Sequence, residues 1–379
     1  DRKELINWDR FLNSIKSNGL DAVVAASPIN VTYSGGMLLE TFKHYWFLTY
    51  VVTTADGKQG VVINEGDAGF FREYSWISDV RTFRYVAKTE DGNRQGMNLM
   101  ADIAHDLGIH RGTLGIEKAH LPASSWDDMK SALPNATLVD CGNVFKHARL
   151  IKTPEEIAVM KKATRYTERA IRLGIMSSKP GDSEKDLSSR IQGEMLLSGA
   201  DALGTWTDLQ TGCNSLVPHS WPSRTRMEMG ETVHIDTGAF FGGYMTGLAC
   251  NAAVGQPNEE SAGIYNRIWE IKRMIIEKSK PGLGASEIFE LAEAAYSRSG
   301  LTNPWDSVGY GIGLQKHEGF EITEGSDEVL QQDMVLNFAL NHIESEDARY
   351  HIEETVVVTS DGVEALSSLT ESSDIYLIV

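Results

Sequence analysis

Apolar residues recur at helical spacing over Trp8–Asn18. Gly19-Leu20 closes that pattern before a short apolar run, Ala22–Ala26, that reads as a buried strand. Asn30–Tyr33 then leads into a Gly-Gly turn. Phe47–Thr53 and Gly60–Ile63 flank Asp56-Gly57, a pattern that predicts a hairpin. A helix is expected over Met97–Leu107 and a strand over Thr113–Ile116. Helices and strands alternating in this way predict an α/β sandwich for the first part of the chain.

The pattern changes near residue 150. Thr153 and Glu156 have the spacing of a capping box, and Pro154 falls where its missing N–H costs nothing. A boundary there divides the chain into domains 1–150 and 151–379. Beyond it the periodicity predicts helices over Glu155–Met176 and Glu184–Gly199, strands over Thr232–Asp236, Gly247–Val254 and Ile352–Val358, and a helix over Ser286–Ser299. Two Lys-Pro-Gly turns, at Lys179–Gly181 and Lys280–Gly282, each precede a helix, which suggests a duplicated helix–helix–sheet unit.

Composition narrows the function classes. The chain has 379 residues, 41% hydrophobic and 23% charged, enough to bury a core without staples. A net charge of −18 argues against a nucleic-acid partner, which calls for a basic stripe. No apolar run reaches 18 residues, so no membrane span is expected. Three scattered cysteines give no disulfide framework, and the first residues read as a helix start and not as a signal peptide. A cytoplasmic protein is expected. Cys250, in an apolar strand, reads as core and not as a nucleophile.

The chemistry concentrates between Pro218 and Glu353, in LVPHSWP (Leu216–Pro222), HIDTGAFFGGYMTGLACNAAVG (His234–Gly255), SVGYGIGLQKHE (Ser307–Glu318), DMVLNFAL (Asp333–Leu340) and HIEETVVVTSDG (His351–Gly362). In order and spacing these segments resemble the pita-bread family of aminopeptidase P, prolidase, methionine aminopeptidase and creatinase. The openings GLDAVVAASPINVTYSGG and ARLIKTPEEI resemble the family's N-terminal domain and the linker into its catalytic domain. The resemblance implies a pita-bread domain behind a smaller α/β domain. It also implies a homodimer in which the first domain lends a loop to the neighbour's site. The aromatic run Phe42–Phe47, with Phe70, Phe71, Tyr74 and Trp76, would serve as core, interface or lid.

Metal-dependent members of that family use two Asp, one His and two Glu. Against that pattern Asp236 and Glu353 are retained, while Gly247, Tyr310 and Ala339 stand at the other three positions. Two carboxylates cannot hold two hard divalent ions, so no dinuclear metal and no cofactor is expected. The remaining case is one ion held by Asp236, Glu353 and either His234 or His351. The resemblance makes His219 the acid–base group and places His317 on the substrate. It places Tyr310 toward the missing metal and Tyr244 in the run matching creatinase's substrate-gripping stretch. Arg224 and Arg349 flank the active segments and could fork onto a substrate carboxylate. Asp236 and Glu353, facing each other on buried strands, need a shared proton or a cation between them. The expected reading is therefore a metal-independent, creatinase-like hydrolase cleaving a non-peptide C–N bond of a small substrate with a cationic nitrogen, such as a guanidine or cyclic amidine. The alternatives are a metal-dependent Xaa-Pro peptidase, a non-catalytic binding module and a lyase.

Overall fold

A computed structural model of the protein describes residues 2–36, 49–84, 91–344 and 348–379. The aromatic run Phe42–Phe47 lies outside the described residues. The chain divides into two compact units, Asp1–Arg149 and Leu150–Val379.

In the first unit, strands β1 (Ala22–Ala25), β2 (Tyr50–Thr54), β3 (Gln59–Asn64), β4 (Val80–Phe83), β5 (Thr113–Ile116) and β6 (Thr137–Asp140) form one sheet in the order β4-β3-β2-β1-β5-β6. The hairpin across Asp56-Gly57 pairs β2 with β3, and Gly57 takes φ +87°, a conformation that glycine adopts without steric penalty. Residues Pro28–Gly35, read from sequence only as the approach to a turn, form a helix. Ser27 caps it by accepting from the Asn30 amide, Pro28 opens it, and Gly36 closes it in the left-handed conformation. The helix Asp91–Asp106 packs Met97, Met100, Ile103 and Ala104 against the sheet.

The second unit opens with the capping box as expected: Thr153 Oγ1 accepts from the Glu156 amide at 3.1 Å, and the Glu156 carboxylate accepts from the Thr153 amide at 2.7 Å. Helix Pro154–Met176 is followed by Glu184–Leu197, and helix Glu259–Lys278 by Ala285–Ser299. Each pair leads into sheet strands, and isolated bridges Ser183–Arg226 and Gly284–Val329 fall at equivalent places just before the second helix of each pair. The strands are β7 (Ala202–Thr211), β8 (Thr232–Phe241), β9 (Tyr244–Met245), β10 (Leu248–Val254), β11 (Ser307–Gly311), β12 (Glu321–Thr323), β13 (Val335–Glu344), β14 (Ala348–Val358), β15 (Val363–Ala365) and β16 (Tyr376–Ile378). Their main path is β12-β11-β13-β14-β10-β8-β7.

Strand alternation separates the two faces of this sheet. Val233, Ile235, Leu248, Cys250, Ala252, Leu336, Phe338, Ile352 and Val356 turn toward the four helices and build two apolar clusters. Asp236, Asn251, Asn337, His351 and Glu353 alternate with them on the opposite face, and all are buried. Glu354 is on the helix face. Thr370 and Ser367 donate to it, and the Lys272 ammonium is 3.9 Å away. Among the described residues no helix is long and apolar enough to cross a membrane.

Candidate functional site

Register aligns the polar face into rows. Asp208 pairs with Asp236, Asp236 with Ala249, Ala249 with Glu353, and Glu353 with Ala339, so one row crosses five strands. A second polar row runs beside it: Gln210 pairs with His234, His234 with Asn251, and His351 with Asn341, while the Asn251 side chain accepts from the His351 amide. Tyr310 and Asn337 pair on the far side of Glu353.

Glu353 is the hub. Its Oε1 accepts from the Tyr310 hydroxyl at 2.7 Å and lies 3.4 Å from the Lys316 ammonium; its Oε2 accepts from the Asn337 amide at 3.1 Å. Lys316 Nζ is also 3.6 Å from Asp236 Oδ1. Of the two expected remedies, a shared proton or a cation, the chain itself thus supplies a cation. Burial opposes the charge on Lys316, but Asp236 and Glu353 outweigh it and hold the ammonium above its ordinary pKa. Burial, followed by the Glu353 charge, raises the pKa of Asp236. The same two causes push the Tyr310 phenol well above its usual range and keep it a donor.

Lys316 enters the site through space that Gly247 leaves open. A Cβ at Gly247 would stand 2.7 Å from Lys316 Cε and 3.2 Å from Glu353 Oε2. Nothing in the sequence reading singled Lys316 out. The available signal was its place one residue before His317, as the basic side chain inside a motif whose two retained acids had no counter-charge.

His219 and His317 share an unusual backbone. Their φ angles are +60° and +57°, in the left-handed region that residues other than Gly rarely occupy. Strain of this kind clusters at functional sites. Both side chains are exposed. The His317 ring lies 4.2 Å from the Tyr310 ring, and its Nδ1 pairs with Glu321 at 2.6 Å. The loop bearing His219 is anchored on both sides. Gln210 Nε2 donates to the Ser220 carbonyl at 2.6 Å, and Glu184 accepts from the Thr211 and Ser223 amides. His219 is close enough for its charge to act on buried His234 and His351. Burial first, and then the Arg349 charge, push both of those imidazoles well below their ordinary pKa, so they are neutral.

Three residues expected on the substrate are placed elsewhere. The Tyr244 hydroxyl donates to buried Glu156 at 2.8 Å, because strand β9 turns it toward the first helix of the unit. Arg349 is buried and its fork is already used: Nη1 donates to Asp208 at 2.8 Å, and Nε and Nη2 both donate to Asn341. Arg224 is on an exposed loop. The structure therefore brings together Asp236, Glu353, Tyr310 and, through its ring contact, His317. It adds Lys316 and Asn337, and of the two histidines considered for a single ion it sets His351 beside the carboxylates.

Comparisons with known proteins agree with this architecture. Residues 158–360 match the family described as metallopeptidase family M24, and residues 8–151 match the creatinase/prolidase N-terminal domain. A Xaa-Pro dipeptidase of Pyrococcus furiosus is 26% identical over 361 residues, covering 95% of this chain and 97% of that protein. A Xaa-Pro dipeptidase of Lactobacillus helveticus is 25% identical, covering 94% and 95%. The solved prolidase from Pyrococcus furiosus superposes with a TM-score of 0.79 at 26% identity over 94% of this chain and 98% of its own. An X-Pro aminopeptidase from Thermotoga maritima shares the fold, with a TM-score of 0.85 at 21% identity over 98% and 99%.

These relatives correct the expectation of a metal-independent, creatinase-like enzyme for a non-peptide C–N bond: the two Xaa-Pro dipeptidases and the prolidase just named each match more than nine-tenths of the chain. The expectation of a substrate with a cationic nitrogen falls with it. Its premise was an unfilled gap between Asp236 and Glu353, and the Lys316 ammonium fills that gap.

The site does not fit a pair of metal ions. The space beside Gly247 is filled by the Lys316 stem, the Tyr310 hydroxyl is committed to Glu353, and Ala339 offers no donor. A single ion fits the donors better. Ligand atoms of Asp236, His351 and Glu353 lie within 4.8 Å of one another. Asp236 Oδ1 and His351 Nε2 are buried without a hydrogen-bond partner among the described residues.

Proposed function

The chain belongs to metallopeptidase family M24, and from that premise we propose that it is a peptidase acting on dipeptides with proline in the second position. The observation that carries this reading is the similarity to Xaa-Pro dipeptidases along 95% of the chain, with Asp236, Glu353, His219 and His317 all retained in their motifs.

Asp236, His351 and Glu353 would hold one divalent ion, which when bound polarises a carbonyl and lowers the pKa of a bound water. The remaining work falls to the chain's own groups. Tyr310 and Asn337 fix the Glu353 carboxylate by hydrogen bonds. His317, packed at a tilt against Tyr310 and oriented by Glu321, binds the peptide carbonyl. His219, on its anchored loop, gives a proton to the leaving proline nitrogen, since an imidazole exchanges protons near neutral pH. Burial of Tyr310, Asn337 and Glu353 keeps bulk water from the contacts that fix the carboxylate.

The test is proline release from a panel of Xaa-Pro and Xaa-Ala dipeptides in the presence of Mn2+ or Co2+. The reading predicts release from Xaa-Pro with kcat/KM at least about tenfold above Xaa-Ala, a margin one pocket contact can supply. A folded protein that leaves every dipeptide intact would sink it. His219→Ala is expected to lower kcat by about 10^2 or more, the usual yield of a positioned acid–base group.

A further inference from the structure

We propose that Lys316 and a single divalent cation are alternative occupants of one buried pocket, in which Asp236, His351 and Glu353 hold the ion once the lysine side chain withdraws. The proposal extends the single-ion reading above. Its test reads binding and not turnover, so it can fail while proline release stands, and the reverse.

A chain of hydrogen bonds orients His351 toward the pocket. Gln210 Nε2 donates to the Ser220 carbonyl, which leaves Gln210 Oε1 as the acceptor facing His234 Nδ1 at 3.4 Å. With its proton on Nδ1, His234 presents a bare Nε2 to His351 Nδ1 at 3.1 Å. His351 must then carry its proton on Nδ1 and direct the lone pair of Nε2 into the pocket, 3.8 Å from Glu353 Oε1. A lone pair aimed at a carboxylate is relieved by a proton or a cation between them, and a cation can bind both at once. An outer hydrogen bond that fixes the tautomer in this way is what a metal-binding imidazole requires.

Lys316 satisfies the pocket incompletely. Its contacts of 3.4 and 3.6 Å are long for charge-assisted hydrogen bonds, which run to about 2.8 Å. Asp236 Oδ1 and His351 Nε2 remain without a hydrogen bond among the described residues, although Asp236 is 5% exposed and His351 2%. Two carboxylate oxygens and one imidazole nitrogen suit Mn2+, Co2+ or Zn2+ and leave positions open for water or substrate. Lysine has a flexible four-carbon stem, and Lys316 reaches the pocket from the loop that carries His317. Lys316 is thus a resident cation that sets how tightly the ion binds.

The experiment is Co2+ titration of the full chain, followed by visible absorption and calorimetry, for the unaltered protein, Lys316→Met, and Lys316→Met combined with His351→Gln. The expected result is one Co2+ per chain, bound at least about tenfold tighter by Lys316→Met, with the absorption bands lost when His351 is also replaced. Loss of a buried counter-charge could leave Lys316→Met unfolded without metal; folding on addition of Co2+ would then support the proposal, since binding energy becomes folding energy. The proposal is overturned if Lys316→Met binds Co2+ no tighter than the unaltered chain, if it stays unfolded with Co2+ present, if the bands survive His351→Gln, or if two ions bind.

Discussion

At the residue scale the structure depends on one ammonium between two carboxylates. Lys316, Asp236 and Glu353 are all buried, and removing one member of such a group leaves an uncompensated charge. Lys316→Ala is expected to cost about 3–5 kcal/mol in urea unfolding measured without added metal. The double variant Lys316→Ala/Glu353→Gln should recover part of that loss. A single variant as stable as the parent would mean that the ammonium is not compensating the pair. The two carboxylates, and their need for a shared proton or a cation, were legible in the sequence. The identity of the cation was not, because Lys316 reaches Glu353 only after a loop folds back over Gly247. Arg349 illustrates the opposite error. Its position beside an active segment suggested a substrate fork, yet register places Asp208 and Asn341 where they use all of it.

At the element scale, the capping box at Thr153 and Glu156 and most helix and strand spans could be read from local pattern, which needs only nearby residues. The cross-strand rows could not, since their two halves join only through a pairing more than a hundred residues apart, Ala249 with Glu353. Glu156 shows how the two levels meet. Burial, offset in part by the Thr153 amide, raises its pKa from 4.5 to about 7, and the Tyr244 hydroxyl donates to it. Between those values the folded state holds a proton that the unfolded chain has lost. The stability Glu156 contributes is therefore full below about pH 4.5 and falls as pH rises through 7, by about 3 kcal/mol in total. Glu156→Gln, which keeps an acceptor for the Thr153 amide and a partner for Tyr244, should flatten that part of the stability profile in urea melts at pH 5 and pH 8. An unchanged slope would assign the dependence to other groups. Thr153→Ala, which removes the other half of the box, should cost about 1 kcal/mol.

At the scale of the whole molecule, the first unit matches the creatinase/prolidase N-terminal domain and the second matches metallopeptidase family M24 and carries the candidate site. The motif resemblance implies that Asp236 and Glu353 are two of the family's acids and that Gly247, Tyr310 and Ala339 stand at its other three ligand positions, and the structure sets Lys316 and His351 beside the two acids. Sequence motifs revealed the fold. They led to the wrong substrate class because a missing ligand was taken for a missing peptidase. Peptide cleavage would thus depend on a pocket with room for one ion. Its most direct test is the rate of proline release from a Xaa-Pro dipeptide as metal-stripped protein is titrated with Mn2+ or Co2+. The account predicts that activity rises and saturates at one equivalent per chain. Saturation only at two equivalents, or no turnover at any loading of a folded protein, would contradict it.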